Sequence, residues 1–266
     1  MLRLLAAIAV LLCLIVGTLW VKQRSLIFPA PQLAAPLPRG FQQVALTTAD
    51  GLTLKAAYRE AQQGRPTIIF FHGNGDDWTG AAIATRQWAD GGYGVLLPEY
   101  RGYAGNPGSP SEQGLFSDGR AAVSYLRAAG IEPQQIVIIG NSIGSGVATQ
   151  MAVEVPPAAL ILISPFASLE SLIGEKYPVL PATLLVRDPF DNLSKLPSIR
   201  VPILLLHGTN DALIPHSHSE RLAASQPGAT LRLVDGAGHQ IVYEPAAQSI
   251  AMDWLATISP DRISAP

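Results

Sequence analysis

Short runs of strand character recur along the chain. They lie at Thr67–Phe71 (TIIFF), Gly94–Pro98 (GVLLP), Ile136–Ile139 (IVII), Ala159–Ser164 (ALILIS), Ile203–Leu206 (ILLL) and Thr230–Val234 (TLRLV). Most lack the polar alternation of a half-exposed strand, so they read as strands buried on both faces. Helix-compatible segments separate them, at Ala81–Asp90, Glu112–Ala129, Ser145–Glu154, Ser217–Ser225 and Tyr243–Ile258. Strands alternating with helices predict an α/β fold with a mostly parallel central sheet and helices on both faces. Upstream, Phe41–Thr48 and Leu52–Tyr58 flank Ala49-Asp50-Gly51, a hairpin signal for antiparallel edge strands. With 48% apolar and only 14% charged residues, the chain can bury a sizeable core. A net charge of −2 without a basic patch argues against a nucleic-acid partner.

In such a sheet, sites form beyond the carboxyl ends of the strands. One strand end stands out: Ile136-Val137-Ile138-Ile139 runs into Gly140-Asn141-Ser142-Ile143-Gly144, and a helix-compatible segment follows. Strand, sharp turn and helix with a serine at the apex need small residues two before and two after it, because the backbones approach closely there. A serine hydroxyl is a weak nucleophile and needs a base, which in turn needs an acceptor to fix its tautomer. Asp211, in His207-Gly208-Thr209-Asn210-Asp211, and His239, in Gly236-Ala237-Gly238-His239, each follow a different strand end. Taken singly, Asp211 reads equally as a helix cap near His216, and His239 as a loop histidine satisfied by a carbonyl. Together with Ser142, in the order Ser, Asp, His, they read as a catalytic triad. An oxyanion hole takes two backbone amides. Ile143 is the expected source of one and Asn74, in His72-Gly73-Asn74-Gly75, of the other, with Gly75 as the alternative.

Other candidates read as structural. His72 is expected to pack within its loop, and Arg101 to pair with Glu112 or Asp118. His216 and His218 form an HxH pair with no cysteine or carboxylate cluster to complete a metal site, and read as surface residues at a helix start. No metal or organic cofactor is expected. Asn192-Leu193-Ser194 matches a glycosylation sequon, a triplet common by chance. Cys13 is the single cysteine, so no intramolecular disulfide can form.

The N-terminus differs from the rest. Leu4–Val21 carries no charge, between Arg3 and the pair Lys22 and Arg24. As a helix those residues span roughly 27 Å, close to bilayer thickness. Bulky Thr18-Leu19-Trp20-Val21 offers no cleavage site for a signal peptidase, so a retained single-pass membrane anchor is expected. Positive charge on both flanks leaves the side of the membrane open. The expected organisation is an N-terminal transmembrane anchor over 1–25, a Pro-rich linker over 26–40 and a domain over 41–260. Segment 165–200 would form a small cap of one or two short helices.

These motifs resemble the α/β-hydrolase superfamily, and within it a single-anchor membrane branch of depalmitoylase-type and serine aminopeptidase-like hydrolases. The resemblance rests on His72-Gly73-Asn74-Gly75, Tyr100-Arg101-Gly102-Tyr103, Pro110-Ser111-Glu112, Gly140-Asn141-Ser142-Ile143-Gly144, His207-Gly208-Thr209-Asn210-Asp211 and Gly238-His239, spread over residues 40–258. Glu99 stands where such relatives usually have Asp, and Gln240 where Asn or Asp is frequent. The resemblance implies the α/β-hydrolase fold and cleavage of an ester or thioester through an acyl-enzyme. The implied substrates are small molecules, lipids or acylated proteins, with amide or peptide cleavage and a non-catalytic binding module as the alternatives.

Overall fold

The computed structural model describes residues 1–258, except the side chains at 2, 5, 8, 9 and 12. Residues 259 and 260, the end of the expected domain, lie outside the described residues. Helix α1 (Leu2–Ile27) precedes the hairpin β1 (Gln42–Thr47) and β2 (Thr53–Arg59). Then come β3 (Thr67–Phe71), α2 (Trp78–Ala84), α3 (Arg86–Asp90), β4 (Gly94–Pro98) and α4 (Glu112–Ala128). After β5 (Ile136–Asn141) and α5 (Gly144–Glu154) comes β6 (Ala159–Ile163). Segment 165–200 holds α6 (Leu169–Lys176), α7 (Ala182–Leu185), α8 (Asn192–Lys195) and a 3-10 turn, one helix more than the cap expected from sequence. The chain closes with β7 (Ile203–Gly208), α9 (Ser217–Ser225), β8 (Ala229–Val234) and α10 (Pro245–Ala256).

The eight strands lie in the order β1-β2-β4-β3-β5-β6-β7-β8. The pairs β1–β2 and β2–β4 are antiparallel, and every pair from β4 to β8 is parallel. Strands β3 to β7 are buried throughout, as their unbroken apolar runs require. The two edge strands are the open ones, β1 mostly exposed and β8 half-exposed. Alternate residues feed opposite cores. Ile69, Phe71, Ile138 and Leu160 pack with α4 and α5 on one face, while Ile68, Phe70, Val137 and Ile161 pack with α2, α3 and α10 on the other. Strand order reverses at β3, which lies between β4 and β5, so the crevice at their carboxyl ends opens there.

The turn after β5 is strained. Ser142 holds a φ of +52°, the left-handed region that costs a non-glycine residue about 1–3 kcal/mol. Its neighbours leave no alternative. A Cβ on Gly140 would stand 2.6 Å from the Ala148 Cβ, and one on Gly144 would meet the Phe71 carbonyl and stand 2.7 Å from that of His72.

The N-terminal expectation needs correcting. The apolar run does form one helix, α1, but among the described residues no helix is long and apolar enough to cross a membrane. Its last two turns are built into the cap. Arg24 grips the buried Asp188 through Nε at 2.8 Å and Nη2 at 3.0 Å, and the Glu112 amide donates to the same carboxylate at 2.9 Å. The Gln23 amide donates to the Leu185 carbonyl at 3.1 Å and accepts from the Arg187 amide at 2.9 Å. Of the linker expected over 26–40, residues 26 and 27 belong to α1; 28–40 has no regular structure, yet it is no free tether. Phe28 is buried against Phe190, the Ala104 amide donates to the Pro31 carbonyl at 2.7 Å, and Trp78 Nε1 donates to the Ala35 and Pro36 carbonyls. Prolines supply extended backbone with free carbonyls, which suits a strap as well as a spacer.

Gly144→Ala tests the turn. Backbone on backbone cannot give way, so the variant should lose about 1–3 kcal/mol or more of stability, read as a lower urea midpoint. An unchanged midpoint would show that the turn is looser than described.

Candidate active site

Ser142 lies at the carboxyl end of β5, where its amide donates to the Ile163 carbonyl at 2.9 Å. The loop after β8 is turned by Gly236, at a φ of +73°, and delivers His239 at the start of a 3-10 turn. His239 Nε2 is 3.1 Å from Ser142 Oγ, and its Nδ1 is 2.7 Å from Asp211 Oδ2. Because a carboxylate only accepts, Nδ1 carries the proton and the Nε2 lone pair faces the serine hydroxyl. The three residues singled out from sequence thus meet in one hydrogen-bonded chain.

Asp211 is not a helix cap for α9. Its Oδ1 accepts from the amides of Leu213 and Ile214 at 2.9 and 2.8 Å, closing a tight turn beyond β7. Its Oδ2 accepts from two imidazoles. Besides His239, the fully buried His207 places Nε2 at 3.1 Å, while that nitrogen also lies 2.9 Å from the Ile214 carbonyl. Two acceptors at Nε2 put the proton there, leaving Nδ1 to accept from Ser219 Oγ at 2.7 Å. Burial alone would raise the Asp211 carboxyl, but the hydrogen bonds from His207, His239 and the Ile214 amide outweigh it and hold the group well below the ordinary carboxylate range. Sequence reasoning passed over His207. The signal was its position four residues before Asp211, in a motif read only for the aspartate.

The loop after β3 lies directly against the nucleophile, since a Cβ on Gly73 would stand 2.9 Å from Asn141 Nδ2 and 3.6 Å from Ser142 Cβ. Asn74 is pinned from both sides: its Oδ1 accepts from the Tyr103 hydroxyl at 2.7 Å, and its Nδ2 donates to the Ile27 carbonyl at the end of α1. Ile143, the other expected oxyanion residue, stands at the first turn of α5. Behind the loop, His72 is buried and stacks on Tyr100 with ring centroids 4.3 Å apart, so it packs as expected. Its Nε2 also lies 3.7 Å from the buried Glu99, whose other carboxylate oxygen accepts from the Trp78 amide. Burial raises the Glu99 carboxyl.

Arg101 pairs with Asp118 at 2.8 Å as expected, and also grips Asp50 in the β1–β2 turn. One expectation fails on burial. His216 is partly exposed, but His218, expected at the surface, is fully buried on the cap-facing side of α9. Its Nδ1 accepts from the Ala167 amide at 3.1 Å, and its Nε2 lies 3.2 Å from Glu175. Asn192 of the sequon is also fully buried, donating to the Phe166 carbonyl and Ser145 Oγ, so the folded chain does not present it for glycosylation. Among the described residues no group of three or more His, Cys, Asp and Glu is placed to hold a metal.

Comparison with known proteins agrees with this architecture. Residues 68–184 match the profile of the alpha/beta hydrolase family, and residues 190–246 that of serine aminopeptidase, S33. A Mycobacterium tuberculosis protein described only as uncharacterized is 37% identical over 88% of this chain and 86% of its own. Protein bem46 of Schizosaccharomyces pombe is 31% identical over 79% of this chain and 77% of its own. The lysophosphatidylserine lipase ABHD12 of Danio rerio is 27% identical over 75% of this chain and 60% of its own. Among solved structures, the Pyrococcus furiosus esterase Pf2001 superposes with a TM-score of 0.67 at 20% identity, over 88% of this chain and 97% of that one, a likeness of fold alone. The sheet order, the serine turn between β5 and α5 and the extent of these matches place the chain in the α/β-hydrolase family.

Proposed function

We propose that the protein is a serine hydrolase that cleaves acyl esters or thioesters through a covalent acyl-enzyme. The observation that carries this reading is the continuous hydrogen-bonded chain from Ser142 Oγ through His239 to Asp211. His239 Nε2 takes the Ser142 proton as Oγ attacks the acyl carbonyl carbon. The amides of Asn74 and Ile143 stabilise the negative charge that develops on the carbonyl oxygen. The intermediate collapses, and His239 returns the proton to the leaving alcohol or thiol. Water then attacks the acyl-Ser142 ester with His239 again as base, which releases the acid and restores the serine. Asp211 fixes the tautomer of His239 and stabilises the imidazolium.

The lipase among the relatives favours ester chemistry; the proposed substrates are small molecules, lipids or acylated proteins. Attachment to a lipid layer through α1 is part of the proposal. Its support is the uncharged run Leu4–Val21, along which Leu11, Leu14 and Val21 are exposed. Amide or peptide cleavage by the same residues is the second reading, favoured by the serine aminopeptidase match over 190–246.

A panel of esters, thioesters and amides separates the readings. Wild type should hydrolyse the esters and thioesters fastest and take up a fluorophosphonate probe. Ser142→Ala should abolish labelling and lower kcat by about 10³-fold or more. Folded wild type that neither labels nor turns over would sink the proposal.

His207 acts on the reaction only through Asp211. His207→Leu should cut kcat about 10- to 100-fold, the equivalent of the ~1.5–3 kcal/mol of one hydrogen bond to a charged group. KM should hold, and His207→Gln, which keeps an N–H donor, should recover part of the loss. An unchanged kcat in His207→Leu would reduce His207 to packing.

The depressed Asp211 carboxyl also makes a pH prediction. A folded-state value below the unfolded 3.8 adds stability that is fully present above that pH and is lost as the pH falls toward the folded value. The difference in urea midpoint between wild type and Asp211→Asn should therefore shrink between about pH 5 and pH 2. A constant difference would place the stabilisation elsewhere.

A further inference from the structure

Helix α1 and the cap enclose a groove that the triad does not use. It has a volume of ≈ 440 Å³, within the ~300–1,000 Å³ of small-molecule sites. Leu19, Trp20 and Leu26 of α1 form one wall, and Ile173 of α6, Tyr177 just past its end and Leu185 of α7 form the other. We propose that this groove holds the hydrocarbon chain of the acyl substrate, so that α1 is one wall of the substrate site. The proposal rests on the hydrolase reading above.

Three observations support a hydrocarbon as the occupant. First, the principal polar side chain in the lining is committed elsewhere. Gln23 bonds the Leu185 carbonyl and the Arg187 amide, leaving a polar ligand little to pair with. A polar group entering such a groove loses its water without replacement, whereas a methylene chain gains.

Second, the groove borders the loop that lies against the nucleophile. Its lining includes Ile27, whose carbonyl accepts from Asn74 Nδ2. Asn74 adjoins Gly73, which lies against Ser142. Outward, Val16, Trp20 and Leu185 are shared with a second apolar hollow of ≈ 430 Å³ that reaches Cys13. From Ile27 to Cys13 is about 21 Å along the helix axis, room for a long chain lying beside α1.

Third, the groove is held open. Arg24 on Asp188, Gln23 on the 185–187 backbone and Phe28 against Phe190 fix α1 relative to the cap, so a ligand need not order it. Leu184, 81% exposed, extends the apolar surface beside the groove.

The test uses the full chain in phosphatidylcholine vesicles, with Ile173→Trp and Leu19→Trp filling the groove from opposite walls. Either variant should lower the ratio of kcat/KM for p-nitrophenyl palmitate over p-nitrophenyl butyrate by tenfold or more. A pyrene-labelled palmitate should bind Ser142→Ala protein and be lost when either tryptophan is added. Two separate walls keep the test alive if one variant misfolds. Proportional loss on both esters overturns the proposal. So does probe binding that the tryptophans abolish while the ester ratio holds, which assigns the groove to membrane lipid. A dimer that the tryptophans disrupt, again with the ratio unchanged, assigns it to a second copy and overturns the proposal too. Hydrolysis with neither chain-length dependence nor probe binding removes the groove proposal and leaves the hydrolase reading. Probe binding lost in the variants of a chain that cleaves no ester keeps a hydrocarbon site and removes the hydrolase reading.

Discussion

A serine in left-handed backbone at the end of a buried strand is the constraint around which the rest is arranged. Ser142 keeps that conformation because β5 is paired on both sides and α5 begins immediately after it, pressed so close to β3 that no side chain fits at Gly144. The cost in backbone strain is offset by the packing of the two most central layers. Once the turn is fixed, the surroundings follow. β3 must end beside it, which brings the Gly73–Asn74 backbone to the hydroxyl. The parallel register from β5 through β8 carries Asp211 and His239 to the same rim from strands two and three places away.

The acidic end of the hydrogen-bonded chain is as tightly determined as the serine end. Asp211 uses both oxygens, one for two backbone amides and the other for two imidazoles. Of the two imidazoles only His239 is partly exposed, while His207 is fully buried, so the charge is held by groups with little freedom to move. In a low-dielectric setting such a network strengthens each of its bonds, and any one of them missing would leave a buried charge short of a partner.

Much of this was legible in the sequence because it depends on local pattern. Unbroken apolar runs marked the buried strands. Ser217–Ser225 marked its helix to the residue, and Glu112–Ala129 marked α4 to within one residue. Three chemical residues at three strand ends were readable for the same reason: a parallel sheet brings such ends together wherever they fall in the chain. What sequence hid was tertiary. His218 and Asn192 sit in polar contexts and look solvent-facing, yet each is buried to satisfy backbone groups of the cap. The Pro-rich stretch has the composition of a tether, and only the partners of its carbonyls reveal a strap. α1 looked separable because its apolar run ends before Lys22, while the contacts that bind it to the domain come from Gln23 and Arg24 just beyond.

The three groups of the hydrogen-bonded chain do not share the same protection. Ser142 stands on a strand flanked on both sides by parallel neighbours, and Asp211 follows the next-to-last strand. His239 hangs from β8, which is paired along one side only and half-exposed along its length. Edges of sheets open at lower free energy than their centres. Fraying at β8 therefore parts the imidazole from the hydroxyl while the serine turn and the aspartate remain in place, so the register between strand ends fails at the rim long before the fold fails at its middle.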